Sequence, residues 1–166
     1  MRQGEMEAAG GGIRLFAYGL LMDPGVMRQL CPNARAVGPA RLERMRIAFR
    51  GGSREDGGGV ADVLPARDRV VWGVLWELPE RSLAALDAFE EVPEQYVRVR
   101  HPVRLSDGAE YEAELYRQPE GARPAPPGER YLGRILAAAQ HWGLPSRYQD
   151  ELRAAATLAR AGRGRP

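Results

Sequence analysis

Apolar positions along this chain recur at two periods, and the switches between them mark the elements. Ile13–Tyr18 is a short apolar run and predicts a first strand. Asp23-Pro24 carries the signature of a helix start, with Asp as N-cap and Pro at the first helical position, and a short helix is expected to about Leu30. Leu42–Phe49 predicts a strand, Gly51–Gly59 (GGSREDGGG) a flexible loop and Val60–Leu64 a short strand. The clearest strand is Val70–Leu78, where Val70, Trp72, Val74, Trp76 and Leu78 fill one face at period two, with both tryptophans expected in the core. Pro79 opens a helix through ERSLAALDAFEE that must stop near Pro93. Tyr96–Leu105 alternates again, with Val97, Val99, Val103 and Leu105 on one face. Ser106-Asp107-Gly108 predicts a hairpin turn and Ala109–Tyr116 the returning strand. Gln118–Gly128 is a Pro- and Gly-rich loop. Glu129–Trp142 is a helix ended by Gly143, and Pro145 starts another with Leu144, Tyr148, Leu152 and Ala155 at helical spacing.

Hairpin-linked strands with few helices between them argue for an α+β fold, a small, curved, mostly antiparallel β-barrel with flanking helices. The expected organisation is a flexible leader over residues 1–12, one domain over 13–158 and a tail over 159–166. No repeat or second-domain boundary interrupts it.

Composition narrows the function classes. The chain has 166 residues, 24 basic against 22 acidic, and no lysine, so every basic residue is arginine. Arginine use explains a pI near 9.0 without a polyanionic partner. The arginines are scattered and not interleaved with aromatics, so nucleic acid is not an expected partner. No apolar run approaches the length of a membrane span, and MRQGEMEAAGGG has no apolar core of a signal peptide. The single cysteine, Cys31, cannot form an internal disulfide, which fits a reducing compartment, and a cytoplasmic location is expected. No histidine or positive cluster accompanies Cys31 to make it a nucleophile. His101 and His141 lack metal-ligand spacing and read as structural or surface residues, so no metal is expected.

Chemistry enters at Glu90. On a helix, Leu83 and Glu90 lie about 20° from one line, and Leu86 falls on the same stripe. The stripe that anchors the helix therefore also carries a carboxylate, while Glu91 falls about 100° away, toward solvent. Either the helix frays first and Glu90 is solvated near Pro93, or Glu90 lines a cavity as a partly desolvated carboxylate. In the second case its pKa is raised and it can accept a proton near neutral pH. A second anomaly is LFAYGLLMDP at 15–24. The strand breaks at Gly19, yet two leucines follow where turn residues are usually polar.

Several segments together resemble the γ-glutamylcyclotransferase-like family, also described as AIG2-like or BtrG-like. FAYG at 16–19 is similar to the family's first strand and substrate loop, usually FAYGSN. CPNARAVGPARLERMRIAFRG at 31–51, GGVADVLP at 58–65 and VVWGVLWEL at 70–78 resemble the segments that follow. LDAFEEVPEQY at 86–96 resembles the segment holding the catalytic glutamate, usually LDxxEGV. PAPPGERYLGRILAAAQHWGLPSRYQDEL at 124–152 resembles the C-terminal part, whose tyrosine is Tyr131.

The resemblance implies a cofactor-independent enzyme acting on a small γ-glutamyl compound. The γ-glutamyl α-amine attacks its own γ-carbonyl, releasing an amine or amino acid and 5-oxoproline. Glu90 is then the catalytic acid/base, and Tyr18, Gly19, Leu20, Leu21, Met22, Tyr96 and Tyr131 are the substrate-binding positions. Backbone N–H groups between Tyr18-Gly19 and the helix at Asp23-Pro24 suit a carboxylate or developing oxyanion whatever the side chains. Tyr96 either orients Glu90, contacts substrate, or is a barrel-rim tyrosine; Tyr131 either caps the pocket or is a core aromatic. The resemblance also allows a homodimer.

The sequence departs from the family in YGLL for YGSN, in Glu91 where Gly is usual, and in a Glu90–Tyr96 spacing about one residue short. The first departure keeps a non-catalytic ligand- or protein-binding member of the same fold as the alternative.

Overall fold

The computed structural model describes residues 12–52 and 57–162. Five strands close into a barrel in the order β1, β3, β2, β4, β5: β1 Gly12–Ala17, β2 Arg35–Arg50, β3 Val60–Pro79, β4 Val97–Leu105 and β5 Glu110–Arg117. Neighbours run antiparallel, except that β5 meets β1 in parallel at Leu15 and Glu114, which shuts the barrel. Four helices flank it: α1 Pro24–Leu30, α2 Leu83–Phe89, α3 Glu129–His141 and α4 Ser146–Gly162. Short 3-10 turns at Leu20–Met22 and Glu80–Ser82 precede α1 and α2. The expected curved, mostly antiparallel barrel with flanking helices is the observed fold.

The middle strands are longer than the apolar pattern predicts. β2 begins at Arg35 rather than Leu42, because bulges near Gly38 (φ 143°) and Arg44 (φ 61°) let polar and Gly-Pro positions stay in the ladder. The two strands expected at Val60–Leu64 and Val70–Leu78 are one strand, β3. Pro65 does not break it, since at that point β3 pairs only with β2; β1 reaches β3 only at Val74–Pro79.

The single apolar face expected for Val70–Leu78 is also corrected. Val71 and Leu75 are as fully buried as Val74, and Trp72 is only partly buried. Both faces of this half of β3 are covered. Gly73 is needed here for close approach: a Cβ would lie 2.2 Å from the Ala17 carbonyl oxygen and 2.8 Å from the Phe16 ring.

The ends of the domain move as well. Gly12, placed in the leader by pattern, starts β1 and pairs with Pro79. Residues 1–11 and 163–166, most of the expected leader and the end of the expected tail, lie outside the described residues. The tail does not begin at 159, because α4 runs to Gly162 and Ala159 is buried in the core. The Gly51–Gly59 loop, of which 53–56 fall outside the described residues, is anchored at both ends. Gly51 N–H donates to the Arg123 carbonyl (2.9 Å) and Gly59 N–H to that of Pro126 (2.8 Å), so the glycine and proline loops lock together. The hairpin turn at 106–108 is as expected, with Asp107 Oδ1 accepting from Ala109 N–H at 2.9 Å.

Candidate active site

At one mouth of the barrel, β1 and β5 end, β3 begins, α2 ends and α3 starts. A cavity of about 470 Å³ opens there, and its wall contains Tyr18, Gly19, Leu20, Leu21, Glu90, Tyr96 and Tyr131. Met22 is the exception among the sequence-predicted positions. It is fully buried in the core and not on the wall, because the 3-10 turn rotates its side chain inward. Its carbonyl instead accepts the Trp142 indole N–H at 2.7 Å.

Glu90 sits where the helix stripe puts it, although α2 already stops at Phe89. Its backbone N–H still donates to the Leu86 carbonyl (2.9 Å), so the helical path continues one residue further and carries it onto the side of Leu86, which is fully buried. The residue is half-buried, with burial pushing its pKa from 4.5 up to about 8. Glu91, expected to face solvent, also lines the cavity, because its backbone turns through φ 51° immediately after the helix.

Three tyrosines surround this carboxyl. Tyr96 Oη donates to the Ala61 carbonyl (2.7 Å), and Tyr131 Oη accepts the Ala61 N–H (2.8 Å), so the two hydroxyls hold the backbone of one β3 residue from both sides. Tyr18 Oη donates to the Tyr116 carbonyl in a short bond. Burial is the first cause holding all three phenols above their ordinary pKa, with the Glu90 charge adding to each. They remain neutral hydrogen-bonding groups at any pH at which Glu90 titrates. Tyr96 and Tyr131 are thus both cavity wall and packed aromatics, Tyr131 lying edge-on to Phe49 with centroids 6.5 Å apart.

Opposite Glu90, the chain leaves β1 at Tyr18-Gly19 and enters the 3-10 turn. The turn's first internal bonds run from Met22 N–H to Gly19 O (3.1 Å) and from Asp23 N–H to Leu20 O (3.0 Å). The amides of Leu20 and Leu21 therefore precede any internal partner. α3 fixes the turn through Trp142 and through Arg134, whose guanidinium lies 3.7 Å from Asp23.

Pattern reasoning missed Ala61, Tyr116, Phe89, Arg130 and Arg134, which also line the cavity. Arg130 and Arg134 are spaced i, i+4 on α3, which was a readable signal; Ala61 contributes only backbone and carries none. Of the two tryptophans expected in the core, Trp76 is buried and meets Trp142 edge-on, centroids 5.6 Å apart, whereas Trp72 is only partly buried and packs against the core. Cys31 is buried. Among the described residues no cluster of three or more His, Cys, Asp or Glu could hold a metal ion. None of the described helices is long and apolar enough to cross a membrane.

A five-stranded barrel whose mouth sets a half-buried carboxyl against a β1-end loop defines a γ-glutamyl-cyclotransferase-like protein. Residues 15–142 match the sequence model of the family described as gamma-glutamyl cyclotransferase, AIG2-like, and the chain belongs to that family of enzymes. It is similar to the gamma-glutamylcyclotransferase of Homo sapiens, 31% identical over 146 residues that span 84% of this chain and 76% of that protein. The Mus musculus gamma-glutamylcyclotransferase is 32% identical over the same length and the same shares. A solved structure titled gamma-glutamyl cyclotransferase superposes with a TM-score of 0.82 at 28% identity, covering 87% of this chain and 88% of that one.

Proposed function

We propose that the cavity catalyses the intramolecular aminolysis of a small γ-glutamyl compound, with Glu90 as general acid/base. The observation that carries this is the Glu90 carboxyl, held near a pKa of 8 by burial, in one cavity with the Gly19–Leu21 backbone. Glu90 as carboxylate takes a proton from the substrate's α-ammonium. The freed amine attacks the γ-carbonyl carbon, closing a five-membered ring and pushing an electron pair onto the carbonyl oxygen. Amides of the Gly19–Leu21 turn meet that oxyanion, and donors of this kind lower such barriers by about 2.7–4 kcal/mol each. When the intermediate collapses, the bond to the leaving nitrogen breaks and that nitrogen receives the proton from Glu90. The ring nitrogen then passes its second proton through the freed Glu90 carboxylate to the departing amine, so 5-oxoproline and an amine or amino acid in its ammonium form depart, and no net proton is consumed.

A carboxyl with a pKa near 8 suits both halves of this exchange, because the driving force for accepting and for returning the proton is balanced near neutrality. The nucleophile belongs to the substrate, so the protein supplies position, a proton carrier and an oxyanion site. Tyr131 Oη, which accepts the Ala61 N–H, stands on the cavity wall with Glu90. Leu20 and Leu21 present apolar side chains where the family usually shows Ser and Asn, so this turn recognises substrate through backbone alone.

The test is to incubate the protein with a mixed library of γ-glutamyl amides and follow 5-oxoproline by mass spectrometry. Turnover that disappears in a folded Glu90→Gln variant is the expected result. A Glu90→Gln protein as active as the parent would overturn the mechanism. An absence of turnover across the library, with binding of glutamate-like ligands retained, would favour the non-catalytic reading that Leu20 and Leu21 suggest.

A further inference from the structure

We propose that Asp87 is a positioning residue that sets the rotation of α2 and so aims Glu90 into the cavity; this rests on Glu90 being the reacting carboxyl. α2 has little else to hold it. Leu86 is its only buried residue, while Ala84, Ala85, Ala88 and Phe89 are exposed. One apolar anchor fixes where a short helix rests but leaves it free to roll about its axis.

Asp87 supplies the missing restraint. Its Oδ1 accepts from Tyr116 Oη at 2.7 Å and from Arg98 Nη1 at 3.0 Å, and its Oδ2 accepts from the same Arg98 nitrogen at 3.0 Å. These partners stand on β5 and β4, so the helix is pinned to two strands at once. The Asp87 carbonyl also accepts the Val92 N–H (3.0 Å), which closes the turn that carries Glu90.

Tyr116 continues the connection. Its carbonyl accepts the Tyr18 hydroxyl, at the start of the Gly19–Leu21 turn. Arg98 also approaches Glu114 (3.7 Å), the residue at which β5 meets β1. One polar chain therefore runs from the helix bearing the carboxyl to the turn bearing the amides. A side-chain tip about 6 Å from a helix axis moves about 2 Å when the helix rolls by about 20°, and a misplacement of about 1 Å can cost 10²-fold in rate.

Asp87→Asn and Tyr116→Phe test this, the second because it changes no charge and removes a single hydroxyl. The titratable groups on the cavity wall with Glu90 are Tyr18, Tyr96, Tyr116, Tyr131, Glu91, Arg130 and Arg134; Asp87→Asn alters none of them, and Tyr116→Phe removes only the Tyr116 hydroxyl. In Asp87→Asn, kcat is expected to fall about 10- to 100-fold with KM changed less than about threefold. Tyr116→Phe should fall in the same direction, and the double variant should lose no more than Asp87→Asn alone, since both cut one link.

The second readout needs no turnover. Carboxyl 13C NMR of glutamate-labelled protein should show the Glu90 titration moving at least about one unit toward the ordinary value in both variants, as water reaches a loosened helix end. A merely structural role would lower the melting temperature and leave kcat and the titration unmoved, and that result would overturn the proposal. If the parent protein releases no 5-oxoproline, the proposed reaction fails, while an Asp87-dependent Glu90 titration still separates positioning from packing.

Discussion

Glu90→Gln isolates the energetic consequence of a carboxyl held in a closed place. Glutamine has the shape of a protonated glutamate and no titration. The folded pKa is about 8 against an ordinary 4.5. Between those values the native state holds a proton that the unfolded chain has lost, so stability falls as pH rises, by about 1.4 kcal/mol per pH unit. The contribution is intact below the unfolded value and gone once pH has passed the folded one. The full shift corresponds to a ceiling of about 5 kcal/mol, which water in the cavity lowers to on the order of 2–4 kcal/mol for a half-buried residue.

Urea unfolding of parent and variant at about pH 5 and about pH 9 gives the two stabilities. All other titrations are shared by the two proteins and cancel in the difference. The variant should match the parent within about 1 kcal/mol at the lower pH and exceed it by on the order of 2–4 kcal/mol at the higher. A difference that stays flat with pH would show a solvated carboxylate and would remove the cavity reading of Glu90 together with its chemistry.

Three further outcomes follow from the same geometry. If Glu90 acts first as a base, log kcat/KM for 5-oxoproline release should climb with unit slope and level off near the pKa of about 8; a profile already flat from about pH 5 would contradict it. Asp62→Ala should cost about 3–5 kcal/mol in urea unfolding. Arg50, bonded to Asp62 at 2.8 Å, would be left largely buried with the Ala122 carbonyl but without its carboxylate, and the Gln118 N–H would lose its acceptor at 2.9 Å. A loss under about 1 kcal/mol would mean that Arg50 reaches water. Gly73→Ala places a methyl 2.2 Å from the Ala17 carbonyl oxygen, and about 1–3 kcal/mol or more of overpacking should appear as a lowered melting temperature.

What the sequence made legible follows the kind of interaction involved. Helix ends were readable to within a residue or two wherever a cap signalled them. Asp23 does accept from Gly25 N–H (2.7 Å), and Gly143 does take a positive φ at 67° just beyond α3. Strand lengths were not, because continuity in β2 and β3 depends on what pairs alongside. Pro65 looks like a breaker in one dimension and is harmless on the unpaired side of a ladder. The one-face reading of Val70–Leu78 failed for a related reason: alternation disappears when helices cover the outside of a barrel wall.

Glu90 was legible because a helix forces a side chain onto a face, and an acidic residue on an apolar face has few places to go. Ala61 was invisible because it acts through its backbone C=O and N–H, whose partners Tyr96 and Tyr131 lie 35 and 70 residues away. Met22 was misplaced for the opposite reason, since residues of one 3-10 turn point in different directions and proximity in sequence does not mean a shared wall. Glu91 shows how a departure noticed in sequence becomes physical. The chain there takes φ 51°, a conformation that costs a side chain about 1–2 kcal/mol and glycine almost nothing. The family's usual glycine fits that turn, and this chain accepts the cost while placing a second carboxyl on the cavity wall. The turn itself is retained because it ends α2 at the point where Glu90 meets the tyrosines, so backbone geometry at 91 and carboxyl geometry at 90 are one feature of the site.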